Sequence, residues 1–136
     1  LMNNAEAIEL LKSRLGFHNK AIKKLIIFHN YLLKWNSSYN LISKSTEDQI
    51  WTRHILDSAQ LVKFIELKYA SISDFGSGAG FPGLILAIYY ENQGFHVKLV
   101  EKSPIKRSFL SEVCKKLKLK VQILDNVYSS DISADI

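Results

Sequence analysis

The 136 residues predict an α/β chain, an open parallel sheet with an amino-terminal helical cap, broken off after about the third strand. Three observations predict it. The second half alternates strand and helix patterns, the layout of right-handed parallel crossovers. A short apolar run ends in Asp74, four glycines fall within the ten residues 74–83, and a helical pattern follows. The first half carries helical periodicity alone.

Residues 4–15 place Ile8, Leu11 and Leu15 at helical spacing, and Gly16 is positioned to close that helix. The next helix is expected over 18–36, with Ile22, Leu25, Ile26, His29, Leu32 and Leu33 as its apolar stripe. Trp35 to Leu41 reads as a polar connection punctuated by aromatics. Ser45-Thr46-Glu47-Asp48-Gln49 offers capping-box choices for a third helix over about 47–65. Its stripe is Ile50, Trp51, His54, Ile55, Ser58, Leu61, Val62 and Ile65.

Residues 70–75 predict a strand, and 82–92 a helix with Pro82 in its first turn. A strand over 95–100 alternates Phe95, Val97 and Leu99 with His96 and Lys98. Ser103-Pro104 opens a helix to 117, with Ile105, Phe109, Leu110, Val113, Cys114 and Leu117 on one face. Residues 121–124 predict a third strand. Ala134-Asp135-Ile136 reads as the start of another, which would wall the ligand crevice beside the first strand and cover its edge. The chain is therefore expected to be the amino-terminal part of a larger domain. Residues 1–66 form the cap, and 67–136 the first part of the ligand-binding domain.

Composition narrows the class. Hydrophobic residues make up 47% and charged residues 23%, as in globular proteins. No apolar run reaches the length of a membrane span. A single cysteine, Cys114, rules out an internal disulfide framework and suits a reducing cytoplasm. One cysteine and four scattered histidines make no metal-ligand cluster. A net charge of +5 permits nucleic acid as a partner without requiring it.

The glycine loop points to a nucleotide-like ligand. Glycines let the backbone turn at positive φ and let a ligand approach, and the N–H groups of a helix start favour polar or anionic groups. Gly78, Gly80 and Gly83 spell the dinucleotide pattern G-x-G-x-x-G. Read from Asp74, the same residues place an acid directly before the first glycine, Gly76. This second register fits better, because Gly76 follows the strand closely and Gly78 comes late. It resembles motif I of class I methyltransferases. Glu101 ends the second strand, 25 positions beyond Gly76, where an acid accepts both hydroxyls of a ribose. Asp74 and Glu101 together favour a cationic ligand. Asp125-Asn126-Val127-Tyr128 follows the third strand, where residues commonly flank an adenine edge and where an ordinary turn is an equal alternative. On the third helix Arg53 is a candidate phosphate contact, and Asp57 or Ser58 a candidate support for the glycine loop. His54 falls on the apolar stripe, as a core histidine would.

The joint pattern is more specific. Trp35-Asn36, Tyr39-Asn40-Leu41, Arg53-His54-Ile55-Leu56-Asp57-Ser58, the loop from Asp74 ending in Phe81-Pro82-Gly83, and Glu101-Lys102-Ser103 with Lys106-Arg107 and Phe109-Leu110 occur in this order. In this the chain resembles the glucose-inhibited division protein B family, the bacterial 16S rRNA guanine-N7 methyltransferases. The resemblance covers nearly the whole chain. It implies a Rossmann-like class I methyltransferase fold, S-adenosyl-L-methionine as cofactor, and 16S rRNA or the small ribosomal subunit as partner, in the cytoplasm. It implies cofactor contacts by Gly76, Phe81, Glu101, Val127 and Tyr128, to which the reading of the glycine loop adds Asp74, Gly78 and Gly80. Candidate RNA contacts are Arg53, Lys102, Lys106 and Arg107, with Lys20, Lys23, Lys24 and Lys34 as further cations. The chain departs from the family at Asn126 and Tyr128, where an arginine and a glutamate are usual. The family's Ile-Ser/Thr-Arg-Ala segment would fall just beyond Ile136. No catalytic side chain is expected, since guanine N7 has an in-plane lone pair and no proton to remove. The rival readings are a nicotinamide- or flavin-binding oxidoreductase and an inactive fragment that only binds RNA.

Overall fold

The computed structural model describes residues 1–66 and 71–126. Helix α1 (Asn4–Ser13) opens with a reciprocal cap, the Asn3 side chain accepting from the Glu6 N–H at 2.9 Å and the Glu6 carboxylate from the Asn3 N–H at 3.2 Å. Helix α2 (Asn19–Asn36) is capped by His18, whose Nδ1 accepts from the Ala21 N–H at 3.2 Å. Between the two, Gly16 takes φ +79°, the left-handed turn its type permits.

The buried face of α2 is Ala21, Ile22, Leu25, Phe28, Leu32 and Asn36. This corrects the expected stripe, because Phe28 lies inside and Ile26 is 41% exposed. The helix is rotated by its aromatic contacts: Phe28 packs on Phe81 and Phe109 at centroid distances of 5.5 and 6.1 Å.

The single helix expected over 47–65 is replaced by a broken one. Lys44–Gln49 is 3-10, Ile50–Ile55 is π-helical, α3 (Leu56–Ala59) is one α turn, and Gln60–Lys63 is 3-10 again. The buried pairs Ile50-Trp51 and Ile55-Leu56 lie five residues apart, a spacing served by i→i+5 closure. The expected capping box does not form. Glu47 instead reaches across to Asn36, whose Nδ2 donates to its Oε2.

Strands β1 (Ser71–Phe75), β2 (His96–Val100) and β3 (Val121–Leu124) form a parallel sheet in that order, with Asp74 opposite Leu99 and Leu99 opposite Ile123. Helix α4 (Gly83–Tyr89) is shorter than expected, with Pro82 in the cap position rather than the first turn. Leu84 to Ile88 are all buried, because α4 lies between β2 on one side and α2 and α3 on the other. Helix α5 (Pro104–Leu117) starts at the expected Ser103 cap and ends where Lys118 turns left-handed at φ 56°. Its expected face is buried except for Ile105, which is 46% exposed. One apolar core runs from α1 and α2 through α4 to Leu99 and α5.

Candidate functional site

Three neighbouring pieces build the site: the loop from Phe75 to Pro82, the turn after β2, and the broken segment 44–63. The loop needs its glycines. Gly76, Gly78 and Gly80 take φ values of +75°, +55° and +106°, where side chains with a Cβ are strained. A Cβ on Gly76 would meet nothing within 4 Å, so this glycine faces open space. Gly83 is different. A Cβ there would collide with Leu99 and come within 2.7 Å of Asp74 Oδ2, so this glycine lets α4 sit against the sheet.

The loop's N–H groups are largely satisfied from within. Gly76 and Ser77 donate to the Val100 carbonyl at 2.8 and 3.1 Å, and Gly80 and Phe81 to the Ser77 carbonyl at 2.8 and 3.2 Å. Gly83 donates to Asp74 Oδ2 at 3.0 Å, and Gly78 to Glu101 Oε1 at 2.7 Å. This corrects the expectation of free helix-start donors. A diphosphate finds little to bind here and meets a carboxylate beside Gly78. That disfavours the dinucleotide register on physical grounds.

The two acids have different work. Asp74 is half-buried and ties β1 to the start of α4 through Gly83, while burial pushes its carboxyl above the ordinary value against the pull of that N–H. Glu101 is only 9% exposed. Its Oε2 accepts from the Ser103 N–H at 2.8 Å while Oε1 holds Gly78, so one carboxylate pins the glycine loop to the α5 turn. Each oxygen takes one of these donors and retains acceptor capacity. Arg107 fastens the same turn, its Nη1 donating to the Glu101 and Lys102 carbonyls at 2.9 and 2.8 Å. Arg107, expected among the RNA contacts, thus engages its own turn, which residue order does not reveal.

Phe81 joins the loop to the cap. Its ring meets Phe28 edge-on and stacks on His54 at 5.0 Å and 24°. The Phe81–Pro82 peptide bond is cis. His54 is half-buried, its Nε2 lies 3.1 Å from Thr46 Oγ1, and burial holds its pKa below the usual value. Arg53, His54, Asp57, Ser58, Leu61, Phe81 and Pro82 line one open cleft of about 370 Å³. Of the remaining candidates, Lys102 is exposed and Lys106 half-buried. Lys24 is held by Glu91 and so is engaged within the fold. Val127 and Tyr128 lie outside the described residues. Cys114 is buried and its thiol is pushed up to about 12, so it packs rather than reacts.

Asn36 was missed as a functional residue. It is 1% exposed, and its Oδ1 accepts from the Leu41 and Ile42 N–H groups at 2.9 and 3.0 Å. A buried asparagine on an otherwise apolar helix face was the available signal. It fixes the chain reversal from α2 into segment 44–63.

Among the described residues no group of side chains is arranged to hold a metal ion, and no helix is long and apolar enough to cross a membrane. A parallel sheet whose first strand leads through a glycine loop onto a carboxylate at the end of the second has the Rossmann-like methyltransferase fold. Within that class the chain belongs to the family described as rRNA small subunit methyltransferase G, GidB, whose model matches residues 21–132. It is 41% identical over 118 residues to ribosomal RNA small subunit methyltransferase G of Cereibacter sphaeroides, covering 85% of this chain and 57% of that protein. It is 43% identical over 107 residues to the protein of that name from Rickettsia prowazekii, covering 79% and 54%. The chain thus spans a little over half the length of these curated relatives.

Proposed function

We propose that the chain carries the cofactor site of an S-adenosyl-L-methionine-dependent methyltransferase acting on N7 of a guanine in 16S rRNA, in the cytoplasm. On this reading residues 1–66 cap the ligand-binding part, 67–136. The observation that carries it is the Glu101 carboxylate, buried at the end of β2 and joined to Gly78 of the loop. The residues fit the cofactor. Gly76 opens onto free space, the loop offers few donors for a phosphate, and Glu101 keeps acceptor capacity for sugar hydroxyls. When bound, the cofactor supplies a methyl group on a sulfonium centre.

The chain's own task is positional. Asp74 and Gly83 set the height of α4, Gly76, Gly78 and Gly80 shape the loop, and Phe81 holds it against the cap. Glu101 presents its oxygens toward the ribose, with Arg107 steadying the turn behind it. No residue need take a proton before attack, because N7 carries none, so holding the reactants in register supplies the acceleration. Arg53, Lys102 and Lys106, with the remaining nitrogens of Arg107, are the proposed RNA contacts.

Titration calorimetry with S-adenosylhomocysteine and with NAD tests the cofactor assignment. Heat is expected with the first only, and Glu101→Ala should weaken it about tenfold or more. Heat with NAD alone would reverse the assignment. Transfer of labelled methyl to undermethylated small subunits tests the substrate.

A further inference from the structure

Arg53 and Asp57 stand four residues apart on the broken segment, both exposed, and both line the cleft whose other wall is Phe81-Pro82. Arginine and aspartate at this spacing are neighbours on a helix face and commonly neutralise each other. Among the described residues they form no ion pair, and neither side chain is hydrogen-bonded. The cleft therefore presents a fork of donors and an acceptor-only carboxylate, side by side. It adjoins the glycine loop, since Phe81 and Pro82 belong to both.

That pairing matches one nucleobase edge. Guanine carries two neighbouring donors, N1–H and the N2 amino group, beside the O6 acceptor. A carboxylate takes the two donors and a guanidinium meets O6. Adenine presents N1 as an acceptor and the N6 amino group in place of O6, and would face each group with the wrong partner. Cytosine and uracil lack the paired donors. Engaging the base by this edge leaves N7, on the adjoining edge, open when the guanidinium meets O6 from the N1 side. A base taken in this way must be unstacked, and the flat His54–Phe81 stack beside the pair offers an aromatic surface to receive it. The π-helical turn Ile50–Ile55 contains Arg53, and turns of this kind recur where a side chain is presented for function.

We propose that Arg53 and Asp57 form the base-recognition site for the acceptor guanine, with Asp57 as the specificity-determining residue. The proposal rests on the methyltransferase reading and adds what selects the base. Its test compares short uridine-tract RNAs that carry one guanosine, inosine or adenosine, titrated into the chain by fluorescence anisotropy. Inosine lacks only the N2 amino group. The guanosine strand should bind about tenfold tighter than the inosine strand. Asp57→Ala should bring that ratio close to one, while S-adenosylhomocysteine heat stays unchanged. Arg53→Ala should weaken the guanosine and inosine strands, which both carry O6, and leave the adenosine strand as it was. Because Asp57 is exposed, a thermal melt matching the parent chain confirms that the variant is folded. A guanosine-to-inosine ratio near one in the parent chain overturns the proposal, as does a ratio that Asp57→Ala leaves intact. Loss of cofactor heat in the parent chain would instead sink the methyltransferase reading, and the strand ratios would still decide the base site.

Discussion

Helix α2 and the segment 44–63 carry the same kind of apolar periodicity and fold differently. Asn19–Asn36 is a regular helix of 18 residues, whereas Lys44–Lys63 passes through 3-10, π, α and 3-10 turns. The first is a packing element, its buried Phe28 locked among aromatic rings. The second buries Ile50, Trp51 and Ile55 and turns Arg53 and Asp57 toward the cleft. A stripe of apolar residues thus settles which face goes inward and leaves the hydrogen-bond span open. Irregular spans re-aim the polar side chains between the buried ones.

The strongest way to break this contrast is Phe28→Ala. Its ring is fully buried, and truncation should cost about 3–5 kcal/mol in urea unfolding. A loss below about 1 kcal/mol would mean that α2 is no more a packing element than its neighbour. The next largest effect is expected at the junction of the two. Asn36→Ala strands the Leu41 and Ile42 N–H groups and removes the tie to Glu47. It should cost about 1–3 kcal/mol. Amide exchange should rise first in segment 44–63, and a uniform rise across α2 and α5 would deny that Asn36 governs the segment in particular.

The smallest effect concerns acid. Burial lowers the pKa of both His29 and His54; the Asn30 hydrogen bond opposes this at His29, and at His54 Asp57 opposes it while Arg53 adds to it. Lowered values mean that the unfolded chain binds protons more readily near pH 6.5 than the folded one. Stability contributed by the neutral rings is therefore present above that pH and is lost as pH falls through the folded values. Melting temperature should decline modestly from pH 7.5 to 5.5, and His54→Gln should flatten part of the slope. An unchanged slope would place the titration elsewhere.

Much of the second half was legible because its signals are local. Ser103 before Pro104 made a helix start, β3 followed its apolar run, and glycines of positive φ marked the turn after β1. The cap was less legible. Neither the choice of Phe28 over Ile26 nor the closure of Lys44–Lys63 follows from spacing, since both depend on partners distant in the chain. Glu101 was identifiable from its place after a strand. Its grip on Gly78 was not, because the two residues are brought together only when β1 and β2 pair.

By itself the sequence determined the order of elements, the parallel alternation of the second half and the position of the glycine loop, all of which depend on short-range chain geometry. Tertiary structure alone decided that the loop's donors are satisfied from within, that Arg107 serves its own turn, and that Arg53 and Asp57 share a cleft with Phe81. Hydrogen bonds and clefts between separate elements depend on the rotation and register with which those elements pack, and one-dimensional spacing carries neither.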